Sequence, residues 1–136
     1  MLPPMSPQLA LTSLLVPDQD AALRFFTQGL GWACREDVAL GAGKRWLVVG
    51  PAEGGAGLLL ARAATDEQRA HIGRQGGGRV WLFLHSADLD ADLARLERHG
   101  ARRAEAPRDE AYGRVVVFTD PWGNRWDLIQ PARPAP

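Results

Sequence analysis

The chain has 136 residues, enough for one domain that buries roughly two thirds of its unfolded surface. Its 16 basic and 16 acidic side chains give a formal net charge of zero, which excludes the broad field that recruits nucleic acid or an anionic membrane. No apolar run approaches the ~20 residues of a membrane span, and a single cysteine, Cys34, excludes an intrachain disulfide and any cysteine-rich metal site.

The opening Met1-Leu-Pro-Pro-Met-Ser-Pro7 lacks the charged and apolar regions of a signal peptide, so an intracellular, cytoplasmic protein is expected. Residues 9–16 form an apolar run of strand length. Asp18 then stands as a helix N-cap, with Leu23, Phe26 and Leu30 at i, i+3 and i+7 making one apolar face. Gly29 and Gly31 stop that helix. Strands are predicted over 32–38, 45–49 and 58–61, punctuated by Gly41, Gly43, Gly54 and Gly55. Cys34, in the first of these, reads as an inert buried thiol rather than a nucleophile.

Thr65-Asp-Glu-Gln68 reads as a capping box for a short helix in a linker spanning 64–78. Gly76-Gly-Gly78 precedes a strand rather than a helix, so it is a turn and not an anion cradle. A strand follows over 79–85. Asp88 caps a second long helix whose Leu89, Leu93 and Leu96 share a face and which Gly100 ends. Strands over 102–106, 114–119 and 124–130 close the chain. The tail from Pro131 to Pro136 is too rich in proline to continue a strand.

The second set of elements repeats the first. With no gap, a shift of 70 residues places Leu14 over Leu84, Asp18 over Asp88, Asp20 over Asp90, Ala21 over Ala91 and Leu23 over Leu93. It also places Phe26 over Leu96, Gly43 over Gly113, Lys44 over Arg114, Val48 over Phe118, Pro51 over Pro121 and Leu58 over Leu128. Such a period is too long for a solenoid unit. The expectation is one α+β domain of two tandem βαβββ modules, at 9–63 and 79–131, with a flexible tail over 132–136. The modules would form a curved, partly open mixed sheet with helices on its outer face.

This order resembles the vicinal oxygen chelate superfamily of glyoxalase I, extradiol dioxygenases, fosfomycin-modifying enzymes and bleomycin-resistance proteins. The resemblance rests on residues 15–26, Gly29-Leu-Gly-Trp32, Arg108-Asp-Glu-Ala-Tyr-Gly113 and the Asp120-Pro-Trp-Gly-Asn124 turn, and covers about residues 9–131. It implies the glyoxalase/bleomycin-resistance fold and does not by itself name a chemistry. Metal-dependent members carry ligands, typically histidine or glutamate, at positions that align with Leu11, Gly57, Trp81 and Asp127. Of these, Asp127 alone offers a donor, whereas a catalytic divalent site usually needs three. Glyoxalase I and extradiol activity are therefore not expected, and neither a metal nor another cofactor is assigned.

Strand alternation extends that quartet into a trough. Its lining would be Leu11, Ser13, Leu15, Gly57, Leu59, Ala61, Trp81, Phe83, His85, Arg125, Asp127 and Ile129. Leu14, Val16, Leu58, Leu60, Val80, Leu82, Leu84, Trp126 and Leu128 would face the helices. His71 and His99 read as surface residues, and His85 as a polar group at the trough rim. Leu11, Ser13, Leu59, Trp81, Phe83, His85, Arg125 and Asp127 are the candidate ligand-binding residues. Trp81 and Phe83 offer stacking surface, and Arg125 suits an anionic group or pairs with Asp127. Asp127 is the candidate catalytic base. Glu110 and Tyr112 are placed at the trough mouth or in ordinary loop surroundings. Two functions remain open: metal-independent binding of a small apolar or aromatic molecule, and a lyase, isomerase or dioxygenase-like enzyme using Asp127 as base or ligand. The bleomycin-resistance branch implies a homodimer with grooves between chains.

Overall fold

The structure, a computed structural model, describes residues 5–133. The first four and last three residues, including most of the expected tail, lie outside the described residues. The elements run β1 (Leu11–Val16), α1 (Gln19–Arg24) passing into a π-helical turn (Phe25–Gly29), β2 (Ala33–Gly41), β3 (Lys44–Gly50), β4 (Gly57–Arg62) and α2 (Asp66–Ala70). Then come β5 (Val80–His85), α3 (Leu89–Arg98), β6 (Arg102–Arg103), β7 (Arg108–Glu110), β8 (Gly113–Thr119) and β9 (Arg125–Pro131). The fold is mixed α and β: the first half runs βαβββ and the second βα followed by four strands, with the short β6 and β7 where one strand was expected.

Local chemistry sets the helix starts. Asp18 accepts from the amides of Asp20 and Ala21 at 2.9 and 3.3 Å, and Asp88 accepts from that of Ala91 at 3.2 Å. Thr65 accepts from the Gln68 amide at 3.1 Å, while the Gln68 side chain turns back to the Ala64 amide at 2.7 Å. The last strands differ from expectation in two places. The strand expected over 102–106 is formed only at β6, and a further short strand, β7, follows Pro107, both paired with β8. Pro131 ends β9 instead of starting the tail. It lies opposite Gly113 at the last rung, where the lost N–H matters least.

The strands divide between two curved sheets, ordered β1-β4-β3-β2 and β5-β9-β8-β6, with β7 also on β8. β1 with β4 and β5 with β9 are parallel pairs, and the other pairs are antiparallel. One core joins the modules. Leu14, Val16, Leu47, Val49, Leu58 and Leu60 supply it from the first sheet, and Val116, Phe118, Trp126 and Leu128 from the second. Helical residues Ala22, Phe25, Phe26, Leu89, Leu93 and Leu96 complete it. Burying a side chain of this size contributes about 1.5–3 kcal/mol. Phe26 stacks on Trp32 and lies 6.0 Å from the ring of Trp126, so the first helix rests on the second module. Arg95 of α3 completes the joint by donating to the Gln28 carbonyl at 2.6 Å.

The repeat is not uniform in register. Val49 pairs with Leu58, but Leu128, 70 residues after Leu58, pairs with Val116. The offset between equivalent residues of β3 and β8 is thus 67, because the second hairpin is three residues longer. Val48 and Phe118, superposed by the shift of 70, fall on opposite faces. No helix among the described residues is long and apolar enough to cross a membrane.

Candidate functional site

Each sheet keeps one face on the core and turns the other away from it. The alternation in β1 and β4 places Leu11, Ser13, Gly57 and Leu59 on the face away from the core, with Leu11 opposite Gly57 and Ser13 opposite Leu59. In the second sheet Phe83 lies opposite Asp127 and His85 opposite Ile129 on the corresponding face. Ser13, His85 and Arg125 are exposed, Leu11, Leu59 and Asp127 are half-buried, and Phe83 is 63% exposed. These residues belong to two faces of one chain, not to one closed pocket.

Trp81 departs from its expected face. The register shifts between Val80 and Leu82, so Val80 stands opposite Arg125 and Leu82 opposite Trp126. The extra residue reverses the alternation upstream of it, and Trp81 packs against the core. Val80, expected toward the helices, moves to the Arg125 side. Cys34 also differs: it is exposed, its Sγ 3.7 Å from the Glu36 carbonyl, because β2 is the outermost strand of its sheet. His71 is exposed as expected. His99 is half-buried, with Nδ1 2.9 Å from the Arg95 carbonyl.

Asp127 is the one acid on the trough face of β9. Its Oδ1 is buried without a hydrogen-bond partner, and no ion pair among the described residues joins it to Arg125. Desolvation raises its carboxyl above the ordinary range. The nearby Arg108 opposes that shift and Glu105 adds to it. Arg108 is itself held by Glu105 and Glu110, which fixes Glu110 beside β8.

Two trough residues escaped the sequence reading. Trp46, opposite Val38 in the β2–β3 pair, stands on the same face as Val48 and donates from Nε1 to Glu36 at 2.8 Å. Arg35 sits at a register shift in β2 and lays its guanidinium over Gly50 and Gly57. A Cβ at Gly50 would lie 2.5 Å from Arg35 Cζ, and one at Gly57 would lie 2.9 Å from Arg35 Nη1. The guanidinium donates to the carbonyls of Pro51 at 2.7 Å and Gly55 at 2.8 Å. Glycines inside strands were the available signal, since they mark close approach by another group.

The four positions that align with metal ligands therefore hold a leucine, a glycine covered by a guanidinium, a core-packed tryptophan and one aspartate. That donor set does not fit a divalent ion. No group of three His, Cys, Asp or Glu among the described residues is arranged to hold one.

A cleft of about 420 Å³ opens where the modules meet. Thr12, Trp32, Gly57, Phe83, His85 and Trp126 are among its lining residues. Its walls come from both faces of the sheets, so it lies at the seam between β1 and β5 rather than along the trough floor. Of the candidate ligand-binding residues, Phe83 and His85 border it.

A family model described as Glyoxalase/Bleomycin resistance protein/Dioxygenase superfamily matches residues 8–128. An uncharacterized protein of Shewanella frigidimarina is 41% identical over 128 residues, covering 93% of this chain and 95% of its own. Among solved structures, UcmS2 is similar with a TM-score of 0.76 and 30% identity over 92% of this chain and 98% of its own. TnmS3, described as an antibiotic binding protein from Streptomyces sp. CB03234, is similar with a TM-score of 0.73 and 31% identity over 93% of this chain and 98% of its own.

Proposed function

The chain belongs to the Glyoxalase/Bleomycin resistance protein/Dioxygenase superfamily, and from that premise we propose that it binds a small, largely apolar or aromatic organic molecule by contact, without a catalytic metal or other cofactor. The observation that carries this reading is the donor set: Leu11, Gly57 and Trp81 supply no ligand, and a cation covers Gly57. The apolar and aromatic groups that remain, with Ser13, His85, Arg125 and Asp127 as the polar ones, suit an organic body with a few polar substituents. Similarity to an antibiotic-binding Streptomyces protein supports the same reading, and the role proposed is drug sequestration of the resistance type, in the cytoplasm.

The proposal includes a homodimer. Within one chain the trough faces point away from the shared core, leaving Phe83, Val38 and Leu40 at 63, 49 and 59% exposure. A second copy covers such surface and turns each open face into a groove. Tryptophan quenching by a panel of aromatic antibiotics tests the binding reading. Saturable quenching that survives chelator treatment is expected. One tightly held divalent ion per chain, with binding lost on its removal, overturns it.

One observation favours a second reading, a lyase or isomerase with Asp127 as base: its carboxyl is raised by desolvation and has a free oxygen. Turnover of a bound compound, abolished in Asp127→Asn while binding persists, is what that reading requires.

A further inference from the structure

We propose that the ligand is an acid, and that Arg35 is the residue that reads its anionic group. This deepens the contact-binding reading above and rests on it.

The argument starts from how the guanidinium is held. β2 shifts register between Cys34 and Glu36, where Arg35 lies. Gly50 and Gly57 lie on the facing ends of β3 and β4, the face away from the core. The missing side chains leave a shallow seat, and Arg35 lies in it. A methyl at Gly50 would meet Cζ, Nε and Nη1 of Arg35 at 2.5, 2.8 and 2.8 Å. The seat therefore admits the guanidinium only because both positions are glycine.

The seat orients the charge without neutralising it. Both hydrogen bonds that hold Arg35 go to backbone carbonyls, at 2.7 and 2.8 Å. No ion pair among the described residues includes it. Arg45, Arg69, Arg103, Arg108 and Arg114 all take carboxylate partners. A guanidinium carries five N–H donors in a planar fork, so two spent on carbonyls leave three. A fork fixed at two corners and half-buried over two strand glycines suits the paired oxygens of a carboxylate. The loop it grips also contributes Pro51, Ala56 and Gly57 to the wall of the cleft that holds Trp32 and Phe83. Arg35 does not itself line that cleft, but Gly57 borders it and lies directly under the guanidinium. A flat ring against those aromatics, with its carboxylate directed across Gly57 to Arg35, describes one ligand, an aromatic acid.

The alternative is that Arg35 only latches the loop over residues 51–56. A latch changes affinity for all ligands alike, whereas an anion reader changes the ratio between an acid and its neutral ester. Binding of 2-naphthoate and of its methyl ester to the full chain, followed by calorimetry or tryptophan quenching, separates the two. The wild type is expected to prefer the acid by about 10-fold or more, the value of one charged hydrogen bond. Arg35→Gln should reduce that preference to within about 2-fold, and any loosening of the loop would weaken both probes alike without changing the ratio. Gly50→Ala should do the same while retaining the arginine, because the three nearest atoms its methyl meets all belong to the movable guanidinium. This second variant carries the test if Arg35→Gln fails to fold. Equal binding of acid and ester by the wild type overturns the proposal and leaves contact binding standing, as does an acid preference that survives in both variants. Failure of both probes to bind at millimolar concentration overturns the aromatic-acid proposal, while contact binding is decided separately by the antibiotic panel.

Discussion

Asp120 and Asp127 stand seven residues apart and meet opposite fates. Asp120 is 3% exposed, yet it accepts from the amides of Trp122 and Asn124, from the Asn124 side chain and from Trp126 Nε1, all at 2.9–3.0 Å. Burial pushes its carboxyl up and those donors pull it down. Its work is to tie the Asp-Pro-Trp-Gly-Asn turn to the core. Asp127 is raised by desolvation with no such donors at Oδ1. A raised value in the folded chain means that folding binds the proton more tightly. Stability from this group is therefore greatest at low pH and declines as pH rises from the ordinary 3.8 through the folded value. Asp127→Asn is expected to raise the melting temperature at pH 7, with the gain shrinking toward pH 4 in thermal scans. An equal gain at both pH values contradicts the assignment.

At the scale of the element, the π-helical turn Phe25–Gly29 decides how the modules meet. The extra residue per turn brings Phe25 and Phe26 against Trp122, at ring distances of 5.6 and 6.2 Å. Phe26 is fully buried between its own module's Trp32 and the other module's Trp126. Phe26→Ala should cost about 3–5 kcal/mol in urea unfolding, because the cavity opens where both modules line it. A loss below about 1 kcal/mol would show that the joint does not depend on this ring. The caps at Asp18, Thr65 and Asp88 were legible in the chain because capping is a contact between residues two or three apart. The register shifts at Arg35 and Trp81 were not, because a bulge depends on the partner strand, and a strict period of two cannot register an extra residue.

For the whole molecule, what matters is that the helices and one face of each sheet share a core while the other faces remain open. Phe83 is the most exposed large hydrophobic side chain among the candidate-site residues. If a second copy closes the trough, Phe83→Glu buries a charge at that interface and should shift the protein toward monomer in sedimentation velocity, leaving the melting temperature of the monomer little changed. A wild type that sediments as a monomer at micromolar concentration removes the dimer from the proposal.

The duplicated plan, the caps, the apolar face of each sheet and the missing donors at Leu11 and Gly57 could all be read from the chain. Each is a matter of residue type and short-range spacing, which folding does not alter. The exposure of Cys34, the inward turn of Trp81, the changed offset between β3 and β8 and the guanidinium over Gly50 and Gly57 were decided only by tertiary structure. Those depend on which strand ends up at an edge and how two strands slide into register, and such choices are made by the packing of residues far apart in sequence.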